Sequence, residues 1–404
     1  MISNFYHDNN FIKIIKMKLI KFSSRPNMKY LVHLIVWTFV QDLVQDGIGL
    51  YLKFHLDLTF LLVNFLGQFI IGGIIYLYQQ KTKKKKSIND DFMGIKLIRN
   101  DKIKINDSKF KIYFLIIIAA FFNFIDFLIY TLLTPNLIHC SYSIESRLRG
   151  IIIIFDVCFY RYALKLPIFK HQKFSLLILS ICLIIILATE YIFQDVDIFL
   201  NYGDFTYILF IFILDGFFFS LFDSIEKYLF EYDYLNPFKV LMLEGVFGFC
   251  LGIGYSIYIS FYVSFKDYYN NTEPSYFAYS IVGLFLFLIL SSIHDVFRVM
   301  TNKIYSPMAS SLSEFCLNPI YIILTLVLAE DFNSKRNRYL YFSINLILTI
   351  IMTLCGLVYN EFIILFFWGL EYETHREIVY RAQITDAILE LDDINGCEED
   401  EDSN

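Results

Sequence analysis

Ten separate apolar runs, most of them about 20 residues long, divide this 404-residue chain, and each is long enough to cross the hydrocarbon core of a bilayer as a helix. They lie at 30–50, 56–78, 112–134, 144–162, 174–193, 205–225, 238–263, 276–297, 307–329 and 339–359. The apolar excess, 57% of all residues, sits in these runs rather than on alternating faces. The expected fold class is therefore an all-α polytopic membrane protein with ten transmembrane helices.

Lys and Arg placement orients the chain. With a cytoplasmic N-terminus, and counting Arg161 and Lys239 at the inner ends of their runs, 27 of the 34 basic residues fall before the first run, on the even-numbered links or after the last run. The positive-inside rule then puts both termini in the cytoplasm, although Lys335, Arg336 and Arg338 run against it in one outer link. The net charge of −6 owes most to the tail around Glu390 to Asp402, which would repel phosphate, so a nucleic-acid partner is not expected. Of seven cysteines, only Cys140 falls in an outer link, and no disulfide framework or CxxC metal site is present.

Ten helices divide into five and five, and an odd number per half means that a repeat of the first half is inserted upside down in the second. That is the inverted-repeat plan of many secondary transporters. The expected organisation is a cytoplasmic segment at 1–29, a first repeat at 30–194 with a basic loop at 79–111, a second repeat at 195–370, and a cytoplasmic helix with an acidic disordered tail at 371–404. Ile12, Ile15, Leu19 and Phe22 share one helical face that suits the inner leaflet. In the tail, Thr374 and Glu377 read as a capping box. Pro319 inside the ninth run leaves the carbonyl of Phe315 without its helical donor, so a kink is expected there. Gly245, Gly248 and Gly252 form a small-residue ridge suited to close helix packing.

Charges inside the apolar runs carry the functional argument, because an ionisable group near the bilayer centre costs roughly 2.5 to 3.5 kcal/mol even on the lenient insertion scale. The first run carries Gln41, Asp42, Gln45 and Asp46, two i, i+4 pairs that make one polar stripe. Asn64 and Gln68 lie on the second, Asp126 on the third, Asp215 on the sixth, and Glu314 and Asn318 on the ninth. Gln41, Asp42, Gln45, Asp126, Asp215, Glu314 and Asn318 are the candidate residues for a midplane cavity. That layer holds acids and no Lys or Arg, so the cavity suits a proton or a cationic solute. Asp223, Glu226 and Lys227 near the end of the sixth run, with Asp295 and Arg298 near the end of the eighth, read as interfacial salt-bridge networks, candidates for an inner gate or a structural lock. Glu226 and Lys227 are sequence neighbours and do not face each other on a helix, so they are expected to pair with other segments. His294 has no second ligand at metal-binding spacing, and neither a metal nor a cofactor is expected.

Several stretches of the second half carry a family likeness. They are Glu226-Lys227 leading to Asn236-Pro237, Glu244-Gly245-Val246-Phe247-Gly248, Asn302-Lys303-Ile304-Tyr305-Ser306-Pro307-Met308-Ala309, and Tyr359-Asn360-Glu361-Phe362-Ile363 leading to Trp368-Gly369-Leu370. In these the chain resembles the drug/metabolite transporter superfamily, in its EamA and nucleotide-sugar-transporter branch of the solute carrier family 35 type. The resemblance spans 205–370 by motif, and implies ten helices, a five-plus-five inverted repeat, cytoplasmic termini and a central cavity open to alternate sides. The chain departs from transporters of nucleotide sugars in lacking basic residues in the central layer that would neutralise phosphate.

The expected function is secondary transport of a small organic solute. The alternative is a non-transporting polytopic protein, a receptor or assembly factor. Enzymatic activity is not expected, since there is no Ser/His pair, His-rich cluster or phosphate-cradling glycine loop from which catalysis could start.

Overall fold

The computed structural model describes residues 20–22, 28–52, 57–82, 109–137, 150–192, 202–260, 274–320, 322–323, 335–374, 377 and 381. The stretch before Ile20, most of the basic loop and nearly all of the acidic tail lie outside the described residues. Among the described residues there are ten α-helices: α1 Met28–Leu52, α2 Asp57–Thr82, α3 Lys109–Leu137, α4 Gly150–Cys158, α5 Lys170–Ile192, α6 Tyr202–Glu231, α7 Pro237–Ser260, α8 Pro274–Ile304, α9 Pro307–Glu314 and α10 Lys335–Tyr359. Each overlaps one of the ten apolar runs.

Six helical stretches are long and apolar enough to cross a membrane: Thr59–Thr82, Lys109–Ile129, Lys170–Thr189, Pro237–Tyr258, Ile281–Ile304 and Tyr339–Tyr359. Their polarity is that of a bilayer protein. Ile74 on α2 and Ile184 on α5 are 62% and 66% exposed, whereas Glu244 and Arg298 are 0% and 3% exposed. Apolar side chains outside and charges inside suit lipid as the surrounding solvent, and the chain is read as a multi-pass membrane protein.

Local chemistry explains the helix ends that matter for the site. Asn236 accepts the backbone N–H of Phe238 at 3.0 Å and Pro237 opens α7, where its missing N–H removes nothing. Ser306 and Pro307 repeat the device at α9, with Ser306 Oγ accepting from Ala309 N at 3.1 Å. α9 tightens into a 3₁₀ turn at Phe315–Leu317, the turn whose carbonyl Pro319 deprives of a donor, and the ninth run is α-helical again at 318–320 and 322–323; the remainder of the expected 307–329 lies outside the described residues. Similarly α4 gives way to a π-helical turn at Phe159–Ala163.

Two short strands join the ends of the bundle: β1 (Ile20–Phe22) pairs antiparallel with β2 (Ile363–Leu365), with Phe22 opposite Ile363. Phe22 is therefore extended, which removes it from the amphipathic helical face expected for the N-terminal segment. After β2, Thr374 Oγ1 accepts the backbone N–H of Glu377 at 3.4 Å, one half of the capping box read from the sequence.

The principal packings are α2 with α7, α3 with α6, α1 with α8, α5 with α10, α2 with α8, α3 with α7, α4 with α6, α1 with α9 and α4 with α9. Contacts comparable in extent to the last two, or smaller, join α7 to α8, α9 to α10, α2 to α3, α4 to α5, α6 to α9, and α8 to both α6 and α9. One apolar core gathers Leu31, Ile153, Leu183, Met308, Leu312 and Met352 from α1, α4, α5, α9 and α10. A second gathers Ile116, Leu229, Phe230, Val240, Leu241 and Val299 from α3, α6, α7 and α8. The glycine ridge of α7 lies against α2: a Cβ at Gly245 would meet the backbone of Phe65 and Phe69, and one at Gly248 would meet the Phe65 ring. This contact brings the third turn of α7 close to α2.

Candidate functional site

The largest collection of buried charge lies where α6 and α8 cross. Arg298 of α8 is held by Asp223 of α6 and, through both terminal nitrogens, by Glu226 one turn further on, at 2.8 and 3.0 Å. Two acids three positions apart on one helix face present both carboxylates to a single planar guanidinium, an arrangement Lys cannot satisfy. The guanidinium also stacks over the Phe222 ring, 4.6 Å from its centroid.

Neighbouring helices complete the node. Asn302 donates to Glu226 Oε2 at 2.9 Å and to the carbonyl of Asp223 at 3.0 Å. Gln68 of α2 donates to Asp295 Oδ2 at 2.7 Å, and His294 Nδ1 lies 3.3 Å from the other oxygen of that carboxylate. Glu244 enters from α7, fully buried, with Glu226, Arg298 and Asp223 as its charged neighbours. Asp223, Glu226 and Arg298 are all less than 5% exposed. With 1.5 Å of rise per residue, Asp223, Glu244 and Arg298 lie about 10 Å inside their nearest helix ends.

Lys227 has a different task. Its ammonium pairs with Glu231 at 2.9 Å and donates to the carbonyls of Asn302, Lys303 and Tyr305 at 2.9 to 3.0 Å. Those are carbonyls at the C-terminal end of α8, which lack donors within the helix, and a cation there also opposes the negative end of the helix dipole. Lys227 therefore clamps the end of α8 to α6. The expectation that Glu226 and Lys227 pair with other segments agrees with this geometry.

A second polar assembly lies between α4 and α9. Asp156 is fully buried and accepts the Ser311 hydroxyl at 2.8 Å. Ser220 of α6 donates to the carbonyl of Ile152 at 3.0 Å, one turn before Asp156 on α4, and Gly216 allows Ile152 to approach. Below it, the Tyr359 and Ser306 hydroxyls lie 3.4 Å apart. A third lies just beyond α10, where His171 at the start of α5 is 3.1 Å from Glu361 and 3.1 Å from the carbonyl of Glu373.

The midplane candidates are distributed as follows. Asp215 is buried on α6, two turns before Asp223 and so about 12 Å from it along the axis. Asp126 is half-buried on α3, which packs against α6. Gln41 is half-buried on α1 with its side-chain oxygen enclosed, and Asn318 is buried just after the 3₁₀ turn. The side chains of Asp42, Gln45 and Glu314 lie outside the described residues, although their backbones belong to α1 and α9. The gate candidates Asp223, Glu226, Asp295 and Arg298 meet in one node.

Asp156 and Glu244 were missing from the sequence-based candidates. Both had the signal that marked Asp215, a lone acid inside an apolar run, but Glu244 was read only as part of a motif. Arg298 is also more deeply enclosed than a residue at an inner mouth. A buried cation is therefore present, with its donors committed to carboxylates.

Among the described residues no group of three or more His, Cys, Asp or Glu side chains is arranged to hold a metal ion. Compared with known proteins, the chain matches no family model and no curated protein.

Proposed function

We propose that the chain is a secondary transporter of a small organic solute, built as a five-plus-five inverted repeat and working by alternating access. The observation that carries the reading is how the helix packings behave when every helix is replaced by the one five further on. The α3–α6 contact then becomes α8–α1, α2–α8 becomes α7–α3, α4–α6 becomes α9–α1, and α2–α3 becomes α7–α8, all of which occur. The contacts α2–α7, α5–α10 and α4–α9 map onto themselves, whereas α6–α8, α6–α9 and α8–α9 have no counterpart of similar extent among the described residues. Such an exchange is expected of two interlocked repeats around a central axis, and it favours the drug/metabolite transporter plan that the motifs resemble.

Two further observations support the reading. The β1–β2 pairing ties the segment before α1 to the segment after α10, which suits an even number of crossings with both ends on one side. The basic bias assigns that side to the cytoplasm. Among the described residues, buried acids on α4, α6, α7 and α8 outnumber the two buried cations, Arg298 and Lys227, and both cations are engaged. A solute carrying positive charge fits this balance better than an anion.

The test is counterflow in vesicles containing the full-length protein, with panels of organic cations, neutral solutes and anions, with and without a pH gradient. Saturable exchange of at least one organic cation, weakened by Asp215→Asn, is expected. Correctly folded protein that exchanges no member of any panel would reject transport, and exchange confined to anions would reject the charge argument.

A further inference from the structure

The chain beyond α10 folds back on the start of α5 through β2, a turn at Trp368 and Gly369, and a 3₁₀ turn at Leu370–Glu373. One side of this segment is fixed to protein. Leu370 is buried, the Glu373 carbonyl lies 3.1 Å from His171 Nδ1, and the Glu373 carboxylate accepts the Lys170 backbone N–H and pairs with its ammonium. The other side presents Trp368, which is 81% exposed.

That exposure is built into the turn. Trp368 has a φ of 54° and Gly369 one of 72°, two successive residues in the left-handed region, which a bulky side chain enters only at a cost. The ring is also held in place. Phe174 of α5, Phe367 and Trp368 meet edge to face in each of their three pairs, with centroids 5.3 to 6.1 Å apart. A strained backbone and a fixed ring thus direct an indole outward, where water would oppose it.

Phe174 identifies what lies there instead. It heads a stripe on one face of α5 that continues through Leu177, Ile181 and Ile184, which are 61%, 50% and 66% exposed. α5 is among the helices long and apolar enough to cross a membrane, so an exposed stripe along it faces hydrocarbon. Trp368 extends this stripe at its polar end, since Phe174 is four residues, or about 6 Å, from Lys170. Beside it the exposed side chains are cationic: Lys165, Lys170 and Lys173. An apolar stripe that ends in an indole and then in lysines matches the boundary between acyl chains and headgroups, where the indole N–H finds partners and lysines reach outward. A soluble partner could cover the ring, but the stripe running on from it has lipid as its neighbour.

We propose that Trp368 is a membrane-interface anchor: its indole lies in the lipid surface at the start of α5 and holds the segment after α10 flat against the bilayer. The strain at Trp368 and the aromatic contact with Phe174 set the depth of the ring. The proposal rests on the membrane reading and not on transport, because the ring can lie in lipid in a protein that carries no solute.

The chain has two tryptophans, Trp37 and Trp368, so full-length Trp37→Phe reports on Trp368 alone. It is reconstituted in phosphatidylcholine vesicles brominated either high or low on the acyl chains, and its fluorescence is followed with and without iodide in the water. Bromine near the headgroups should quench most of the emission, deep bromine less, and iodide little. Emission that neither lipid quenches overturns the proposal, whether iodide reaches the ring, as in water, or does not, as under a second copy of the chain. Stronger quenching by deep than by shallow bromine also overturns it, since the ring would then sit in the hydrocarbon. Should Trp37→Phe fail to fold, the difference in quenching between wild type and Trp368→Phe reads the same ring and is judged by the same outcomes.

Discussion

The α6–α8 crossing and the α4–α9 crossing both bury acids, and they satisfy them by opposite means. At α6–α8 the partners are charged: Asp223 and Glu226 converge on Arg298, with Asp295 of α8 beside them. At α4–α9 the partner identified for Asp156 is the Ser311 hydroxyl, and hydroxyl groups of Ser306 and Tyr359 continue the polar contact. The first arrangement depends on the number of charges present, so one proton gained or lost changes its strength. In the second, the contacts described are those of hydroxyl groups.

Removing the charge from each crossing should separate them. The largest effect is expected from Arg298→Met, which leaves Asp223 and Glu226 buried without their cation. Loss of one partner from a buried ionic network costs about 3 to 5 kcal/mol, and the measurement is thermal unfolding and monodispersity in detergent. Adding Glu226→Gln should recover part of that loss, because one uncompensated charge disappears with it. A double variant no more stable than Arg298→Met alone would mean that the crossing is held by shape rather than by charge balance.

Asp156→Asn should have a smaller effect. The amide oxygen can still accept the Ser311 hydroxyl, so the change should cost about 1 kcal/mol, within the usual value of one hydrogen bond. If its thermal shift equals that of Arg298→Met, the contrast between the crossings does not hold.

The smallest effect is expected outside the membrane. Glu373, beyond α10, forms an ion pair with Lys170 and accepts its backbone N–H at 3.1 Å. Partial burial opposes the charge, but Lys170, helped by Lys173, holds the carboxyl below its ordinary value of 4.5. A lowered value means that the pair contributes above the unfolded carboxylate's pKa and is lost as pH falls through the folded one. Screening at this exposed pair limits it to less than about 1 kcal/mol. The difference between wild type and Glu373→Gln should therefore be present at neutral pH and vanish in acid below 4.5.

Much of this arrangement was legible in the residue order. Apolar length located the helices, since a bilayer demands about 20 residues and links must be polar, and six of them are long and apolar enough to cross a membrane. Pro319 marked the turn where α9 tightens, and the glycine ridge marked the face of α7 that meets α2. Helix faces were less legible, because an all-apolar helix has too little contrast around its circumference to show which side is inward. Thus Asp223, Glu226 and Arg298 could be grouped by depth but not joined, and Glu244 escaped although its lone charge was visible. The strand at Ile363–Leu365 had no periodic signal, since three residues are too few to show alternation.

That strand gives the chain an awkward order of synthesis. Ile20–Phe22 leaves the ribosome about 340 residues before its partner does, a wait of roughly 17 to 70 s at 5 to 20 residues per second. Throughout that interval the first strand has an open backbone edge, and the bundle's two ends can join only after the tenth helix has been delivered to the membrane. A nascent chain halted after α9 would hold nearly all of its apolar surface yet remain unclosed, with its N-terminal edge open to any other extended segment nearby.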